Sequence, residues 1–517
     1  MFKRFRLAAA AMLAAGSLWA CSDDEPTPDP IPDKPATENH ISVESVSPDI
    51  VAAEGGEVTV TVKSGRVPTG KTDADWVTRV SSSREGEIAT FVFAVKANEG
   101  SEERTSVITF KAGDLTADAT IRQAAGEIKP APIPDLTDVD SSVDFARVLA
   151  LGWNLGNQFD ANSNGTASET AWGNPAATQE LFNKLAEAGI RSVRIPVTWL
   201  GQFGAAPDYT INAAWLDRIA EVVGYAENAG LRAVINIHHD GANSAHWLNI
   251  KDAAKDAALN TSIKEQIKAL WTQIAQRFAD KGQFLMFESF NEIHDGGWGW
   301  GENRKDGGKQ YAVLNEWNQV FVDAVRATGG NNATRFLGVP GYVTNPDLTL
   351  EHFVKPTDSA NDRLLVAVHY YDPNDFTLTA KFTEWGHTGD ASKKASYGDE
   401  GDLRNMFGRL ADKYVKAGTG LYIGEFGCTT RANSRDELFR LYYLEYVCKA
   451  GHDNGFGMFI WDNGSTGTGN EANGYFNHGS GAFISNKAKA AVETMVKAFT
   501  NTDASYTLDT VYQGAPQ

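Results

Sequence analysis

Eight short apolar or β-branched runs alternate with helical patterns along the C-terminal two thirds of this chain, and that alternation limits the fold more than any other feature. The runs are Leu151–Asn157, Ser192–Pro196, Ala233–His238, Leu285–Asn291, Phe336–Pro340, Leu364–Tyr370, Tyr422–Phe426 and Gly457–Trp461. Between them Ala176–Ala188, Trp215–Ala229, Ile263–Ala279, Leu314–Ala327 and Arg435–Ala450 carry the spacing of amphipathic helices. Eight β–α units of this length predict a (β/α)8 TIM barrel of the α/β class over residues 141–505, with a tail at 506–517.

Polar residues gather where these runs end: Asn157, Arg194, His238, Asn291 with Glu292, His369, Glu425 and Trp461. A core strand has no structural need to end in a charged group, and in a barrel of this kind function sits at the C-terminal ends of the strands. Two stretches stand out, Phe287-Glu-Ser-Phe-Asn291-Glu292 and Ile423-Gly-Glu425-Phe-Gly427. They close the fourth and seventh strands, roughly opposite one another across the mouth. Glycoside hydrolysis needs two carboxyl groups, one to protonate the leaving oxygen and one to attack the anomeric carbon or activate a water. Their pKa values must differ, so their neighbours matter as much as they do. Arg194 offers a fixed positive charge. Asn291, His238, His369 and Tyr371 offer hydrogen bonds, and Trp461 an apolar floor for one sugar ring. The His238-His239 doublet has no third ligand at a recognisable spacing, so neither a metal nor another cofactor is expected.

With these motifs in order the chain resembles glycoside hydrolase family 5 over roughly residues 145–500. The resemblance rests on Gly152-Trp-Asn-Leu-Gly-Asn157, Val193-Arg-Ile-Pro196, Ile237-His-His239, Asn291-Glu292, Val368-His-Tyr-Tyr371, Gly424-Glu-Phe-Gly427 and Trp461-Asp462. It implies that Glu292 is the general acid/base and Glu425 the nucleophile. It implies too that Arg194, His238 (or His239, since the doublet leaves the register open), Asn291, His369, Tyr371 and Trp461 form the sugar-binding and charge-tuning shell. Asn157 reads either as a sugar contact or as a turn-holding residue. Ile293-His294 follows the acid/base where Pro is common in the family.

Rings in the loops bear on the substrate: Trp172, Trp199, Trp247, Trp298, Trp300 and Trp385. Several of these are expected in the core. Gly296-Gly-Trp-Gly-Trp-Gly301 argues for exposure, because a glycine-rich loop with two Trp cannot be packed wholly inside. Trp298 and Trp385 are the ring contacts expected for sugar. A long mouth lined with rings suits endo cleavage of a polymer. The opening motif and Phe376…Trp385-Gly386 look most like the endo-β-1,4-glucanase branch, acting on a plant β-glucan such as xyloglucan, mixed-linkage glucan or cellulose-type chains. The alternatives are an endo-β-1,4-mannanase or a non-catalytic surface glycan-binding lipoprotein.

Upstream the pattern is different. Glu57–Lys63 and Ile88–Val95 alternate apolar and polar residues, Thr105–Lys111 and Thr116–Arg122 are further strand candidates, and glycines punctuate them. About seven short strands over residues 41–125 predict a small all-β immunoglobulin-like sandwich. The segment resembles the BACON domain, read either as a carbohydrate-binding module or as a spacer, and the lack of a ring cluster favours the spacer. Pro-rich stretches at 21–40 and 126–140 read as a tether and a linker. Residues 1–20 have a basic start at Lys3, Arg4 and Arg6 and a short apolar run, followed by Cys21. They resemble a lipoprotein signal peptide, with acylation of Cys21 and anchorage at the outer membrane, exposed at the cell surface. A net charge of −19 argues against nucleic acid and anionic lipid as partners and suits a neutral polymer. A monomer is expected. Cys428 lies at the catalytic mouth and Cys448 far along the next helix, so they are predicted to be free thiols.

Overall fold

A computed structural model of the chain describes residues 39–98, 103–124, 136–241 and 246–517. Cys21 and the signal and tether segments lie outside the described residues. The chain divides into two compact units, Met1–Lys129 and Pro130–Gln517.

The first unit is the expected sandwich. Strands β1 (Ile41–Ser47), β2 (Gly56–Ser64), β5 (Ile88–Val95) and β4 (Val77–Glu85) form one sheet in the order β1-β2-β5-β4. Strands β3 (Thr69–Lys71), β6 (Arg104–Ala112) and β7 (Leu115–Gln123) form the other, and all these strand pairs are antiparallel. The alternation read from the sequence is the cause: Val58, Val60 and Val62 from β2 and Phe91 and Phe93 from β5 meet Ile108, Phe110 and Ile121 in one core. The large apolar side chains exposed among this unit's described residues are aliphatic: Ile50, Val67, Val80, Ile88, Val107 and Leu115. Trp76 is half-buried beneath the Arg104 guanidinium.

The second unit is a closed barrel of eight parallel strands. In chain order the barrel strands are Leu151–Leu155, Ser192–Ile195, Arg232–Ile235, Leu285–Glu288, Leu337–Pro340, Leu364–Tyr370, Gly420–Phe426 and Gly457–Asp462. Helices Gln179–Glu187, Ala213–Asn228, Ala257–Arg277, Lys309–Ala327, Glu400–Leu410, Ser434–Asp453 and Asn486–Thr500 lie between or after them. Six of these seven starts are set chemically: Thr178, Asn212, Asp256, Asp399, Asn433 and Ser485 each accept a backbone N–H of the first turn. Helix Ser142–Leu149 contributes Phe145, Ala146 and Leu149 to an apolar cluster with Val234, Met286, Leu365, Ala367, Tyr422 and Phe459 from the barrel strands and Phe336 just before the fifth. Phe145 and Phe336 stack at 4.1 Å.

Residues 137–140 belong to this unit. Arg232 donates to the Thr137 carbonyl, and Gln283 both donates to and accepts from the Val139 backbone. In the tail, Leu508–Gln513 forms a capped helix. Cys428 and Cys448 are buried free thiols, one just past the seventh strand and the other on helix Ser434–Asp453. Among the described residues no helix is long and apolar enough to cross a membrane.

Candidate active site

At the C-terminal mouth the seventh strand carries Glu425 and the chain just beyond the fourth carries Glu292. The oxygens nearest one another, together with an imidazole nitrogen of His369, lie within 4.8 Å. His369 reaches both carboxylates, with Nδ1 2.7 Å from Glu292 Oε1 and 3.7 Å from Glu425 Oε2. A break in register between Val368 and His369 pairs His369 with Glu425 across the sixth and seventh strands. Irregularities of this kind re-aim a side chain at the rim of a barrel.

Arg194, fully buried in the second strand, organises the rest. It donates to Glu425 Oε1 at 2.8 Å, to Asn154 Oδ1 at 3.0 Å and to Asn291 Oδ1 at 2.7 Å. Its strongest partner is Glu288, reached through Nη2 at 2.7 Å and Nε at 3.1 Å. Tyr422 donates to the other side of Glu288 at 2.6 Å. Sequence reasoning missed Glu288. The signal was a carboxylate inside an otherwise apolar strand, which demands a buried partner. Burial disfavours the Arg194 charge, but Glu288 and Glu425 outweigh it and hold the guanidinium above its ordinary value. Burial also pushes Glu288 up, and Arg194 and Tyr422 pull it below the usual carboxylate range.

The two cleft carboxylates share His369 and differ in their other cations. Burial raises Glu425; His369 and Arg194 oppose this without offsetting it, and the Glu292 charge adds to the rise. Burial raises Glu292 too, but the His369 hydrogen bond and charge, with His294 and His239, bring it below its ordinary value. The Arg194 charge, 2.8 Å from Glu425, is permanent, whereas the main pull on Glu292 comes from histidines. Two carboxylates this close titrate as a pair. Tyr371, held as a neutral phenol by burial and by both carboxylates, lies 3.2 Å from Glu425 Oε2 and donates to it.

The remaining sequence-predicted residues divide into three groups. His238 is buried with Nε2 4.0 Å from Glu425, whereas His239 Nε2 faces Asp160 at 3.6 Å. Of the doublet, His238 stands nearer the carboxylate while both rings line the cleft, and Asp160 joins them in space from a distant loop. Trp461 lies parallel to His238, 6.0 Å away, and lines the cleft with Asn157. Gly156 is required beside it, since a Cβ there would fall 2.8 Å from the Trp461 ring. Asn157 serves both readings: at φ 54° it holds a turn by donating its N–H to Asp160, and it also lines the cleft. Trp298, 61% exposed, borders all three lobes of the cleft, as does Glu292.

Trp385 is a correction. It is buried, donates Nε1–H to the Gly398 carbonyl and packs against Tyr442, Tyr443 and Tyr446, so it is a core ring and not a sugar platform. Trp199 is likewise buried, while Trp172 and Trp300 stand exposed at the cleft.

A (β/α)8 barrel whose mouth holds two carboxylates at this separation, one braced by a buried arginine and the pair bridged by a histidine, defines a glycoside hydrolase. The chain belongs to glycosyl hydrolase family 5: the Cellulase family model (glycosyl hydrolase family 5) matches residues 156–467. The BACON model matches residues 66–124. The chain is 39% identical over 336 residues to Endoglucanase A of Paenibacillus barcinonensis, which covers 62% of this chain and 82% of that protein. It is 34% identical over 409 residues to a xyloglucan-specific endo-β-1,4-glucanase of Bacteroides ovatus, covering 75% and 79%. Among solved structures, a GH5-4 broad specificity endoglucanase from Bacteroides salanitronis aligns with 59% identity and a TM-score of 0.69, over 71% of this chain and 97% of that one.

Proposed function

We propose that this protein is a retaining endo-β-1,4-glucanase that cleaves plant β-glucans by double displacement, with Glu425 as nucleophile and Glu292 as general acid/base. The observation that carries the reading is the approach of the two carboxylates to within 4.8 Å. That approach fits the retaining arrangement, with carboxyl groups about 5–5.5 Å apart, rather than the about 6.5–9.5 Å of an inverting enzyme. Arg194 and Tyr371 stabilise Glu425 as the attacking carboxylate. Glu292 protonates the departing oxygen and then, ionised, activates the water that releases the covalent intermediate. His369 Nδ1 lies between the two and is placed to balance the proton that Glu292 gives and regains. Trp461 floors the sugar at the reacting centre, and Trp298, Trp172 and Trp300 offer stacking faces along an open cleft, which suits internal cleavage of a chain.

Residues 1–21 support export and a lipid anchor at Cys21, with the sandwich as a spacer that holds a monomeric enzyme off the outer surface. The aliphatic character of the sandwich's exposed apolar side chains favours a spacer over a glycan-binding module.

The test is the product profile of residues 22–517 on xyloglucan, barley mixed-linkage glucan, carboxymethylcellulose, glucomannan and galactomannan. Rapid release of oligosaccharides from a β-glucan is expected. Activity confined to the mannans overturns the substrate while keeping the dyad, and no cleavage of any of the five overturns catalysis.

A further inference from the structure

Asn236 stands one residue past the third barrel strand, fully buried, with side-chain hydrogen bonds that go to neither cleft carboxylate. Every polar group of its side chain is used. Oδ1 accepts the Val197 backbone N–H at 3.0 Å. Nδ2 donates to Glu288 Oε1 at 2.9 Å and lies 3.2 Å from His238 Nδ1. A backbone N–H can only donate, so Oδ1 must face Val197 and the NH2 must face the other two. An amide nitrogen cannot accept, so His238 Nδ1 is the acceptor and the imidazole proton sits on Nε2. The frame is fixed from both ends: Trp199 Nε1–H donates to the Asn236 carbonyl, and the His238 N–H to the Val197 carbonyl.

We infer that Asn236 is a positioning residue, which locks His238 as the neutral Nε2–H tautomer and aims that N–H at the space beside Glu425. His238 Nε2 is 4.0 Å from Glu425 Oε1, too far for a direct hydrogen bond. A sugar hydroxyl in that gap accepts from Nε2–H and donates to Glu425. The imidazolium is forbidden by the same amide, because Nδ1–H would meet Nδ2–H head-on. The groups around the ring act in the same sense. Burial, His239, Arg194 and His369 all disfavour a charge on His238. The acids that face it are Glu425 across the gap, Asp160, which is occupied by the Asn157 and Gln158 N–H groups, and Glu288, which reaches it only through Asn236. The result is one permanent cation beside Glu425, Arg194, and a neutral donor next to it. This inference rests on Glu425 being the nucleophile.

The experiment is long-range 1H–15N spectroscopy of the 15N-histidine-labelled protein, with His238 assigned through H238Q, alongside pH–rate profiles of wild type, N236D and N236A. Wild type is expected to show the Nε2–H tautomer. N236D offers Nδ1 an acceptor in place of a donor, so its spectrum is expected to switch to Nδ1–H. Its kcat should fall about 10- to 100-fold, and its kcat/KM profile should gain an ionisation absent from wild type. N236A adds no charge beside Glu288 and is expected to lose the tautomer preference. A wild-type spectrum with the proton on Nδ1 overturns the inference. So do variants that keep Nε2–H and the wild-type profile shape while only Tm falls, since that is a purely structural role. The tautomer is read without substrate, so a failure of the nucleophile assignment appears separately, as an E425A variant that retains activity.

Discussion

The floor and the mouth of the barrel are made by the same eight strands, yet the floor is apolar and the mouth is a network of buried charge. The change happens within two residues on a strand, which is one step along the inward face. Val234 and Met286 belong to the apolar floor cluster; two positions on, Asn236 and Glu288 belong to the mouth. Gly152 lies against Phe459 and Ser192 low in the barrel; two positions on from Gly152 and Ser192 come Asn154 and Arg194. Tyr422 joins the two layers, packing its ring into the floor while its hydroxyl donates to Glu288. The lesson is a division of labour: the floor contributes apolar burial, and the mouth retains charges whose desolvation is costly and whose return is chemistry.

The comparison predicts different failures in the two layers. The largest effect is expected in the mouth. Glu425→Ala should lower kcat by about 10^4-fold or more without lowering Tm, since it removes a buried carboxylate and leaves Arg194 paired with Glu288. Steady-state kinetics and calorimetry on one preparation check both halves. In the floor, Phe336→Ala should cost about 3–5 kcal/mol of stability in denaturant titrations, with kcat at 25 °C unchanged. Between the layers, Glu288→Gln should do both, costing about 3 kcal/mol and lowering kcat by loosening Arg194.

Glu288 also gives the comparison a pH dependence. Its folded pKa is depressed, so its contribution is present above the unfolded value of about 4.3 and is lost as pH falls through the folded value. Wild type should therefore lose stability in acid more steeply than Glu288→Gln, whereas Phe336→Ala should run parallel to wild type. The smallest effect is expected at the rim. Trp298→Ala should raise KM about fivefold, roughly 1 kcal/mol, with Tm unchanged. Trp385→Ala should lower Tm and leave KM alone.

How much of this was legible in the sequence follows from the range of each interaction. The eight strands and the helices between them were readable because periodicity is local, and Ile88–Val95 and Leu364–Tyr370 fall where the pattern puts them. The two carboxylates were readable because each closes an apolar run. Glu288 and Asn236 were not, because Arg194 and Tyr422, the partners of Glu288, and Glu288 itself, the partner of Asn236, come from different strands and only closure of the barrel joins them. Trp385 was misread for the same reason: the three tyrosines that bury it lie on helix Ser434–Asp453, some sixty residues on. The sequence could name the rings, but exposure is decided by what packs over them.

The central claim is that the pair at the mouth works through a covalent intermediate on Glu425. A 2-fluoro-β-cellobiosyl activated glycoside tests it directly, because the fluorine slows release of the intermediate more than its formation. Intact mass followed by peptide mapping should show one cellobiosyl adduct per chain, on the peptide carrying Glu425, and none with Glu425→Ala. An adduct on Glu292, or no adduct together with product released in the α configuration, would contradict the account.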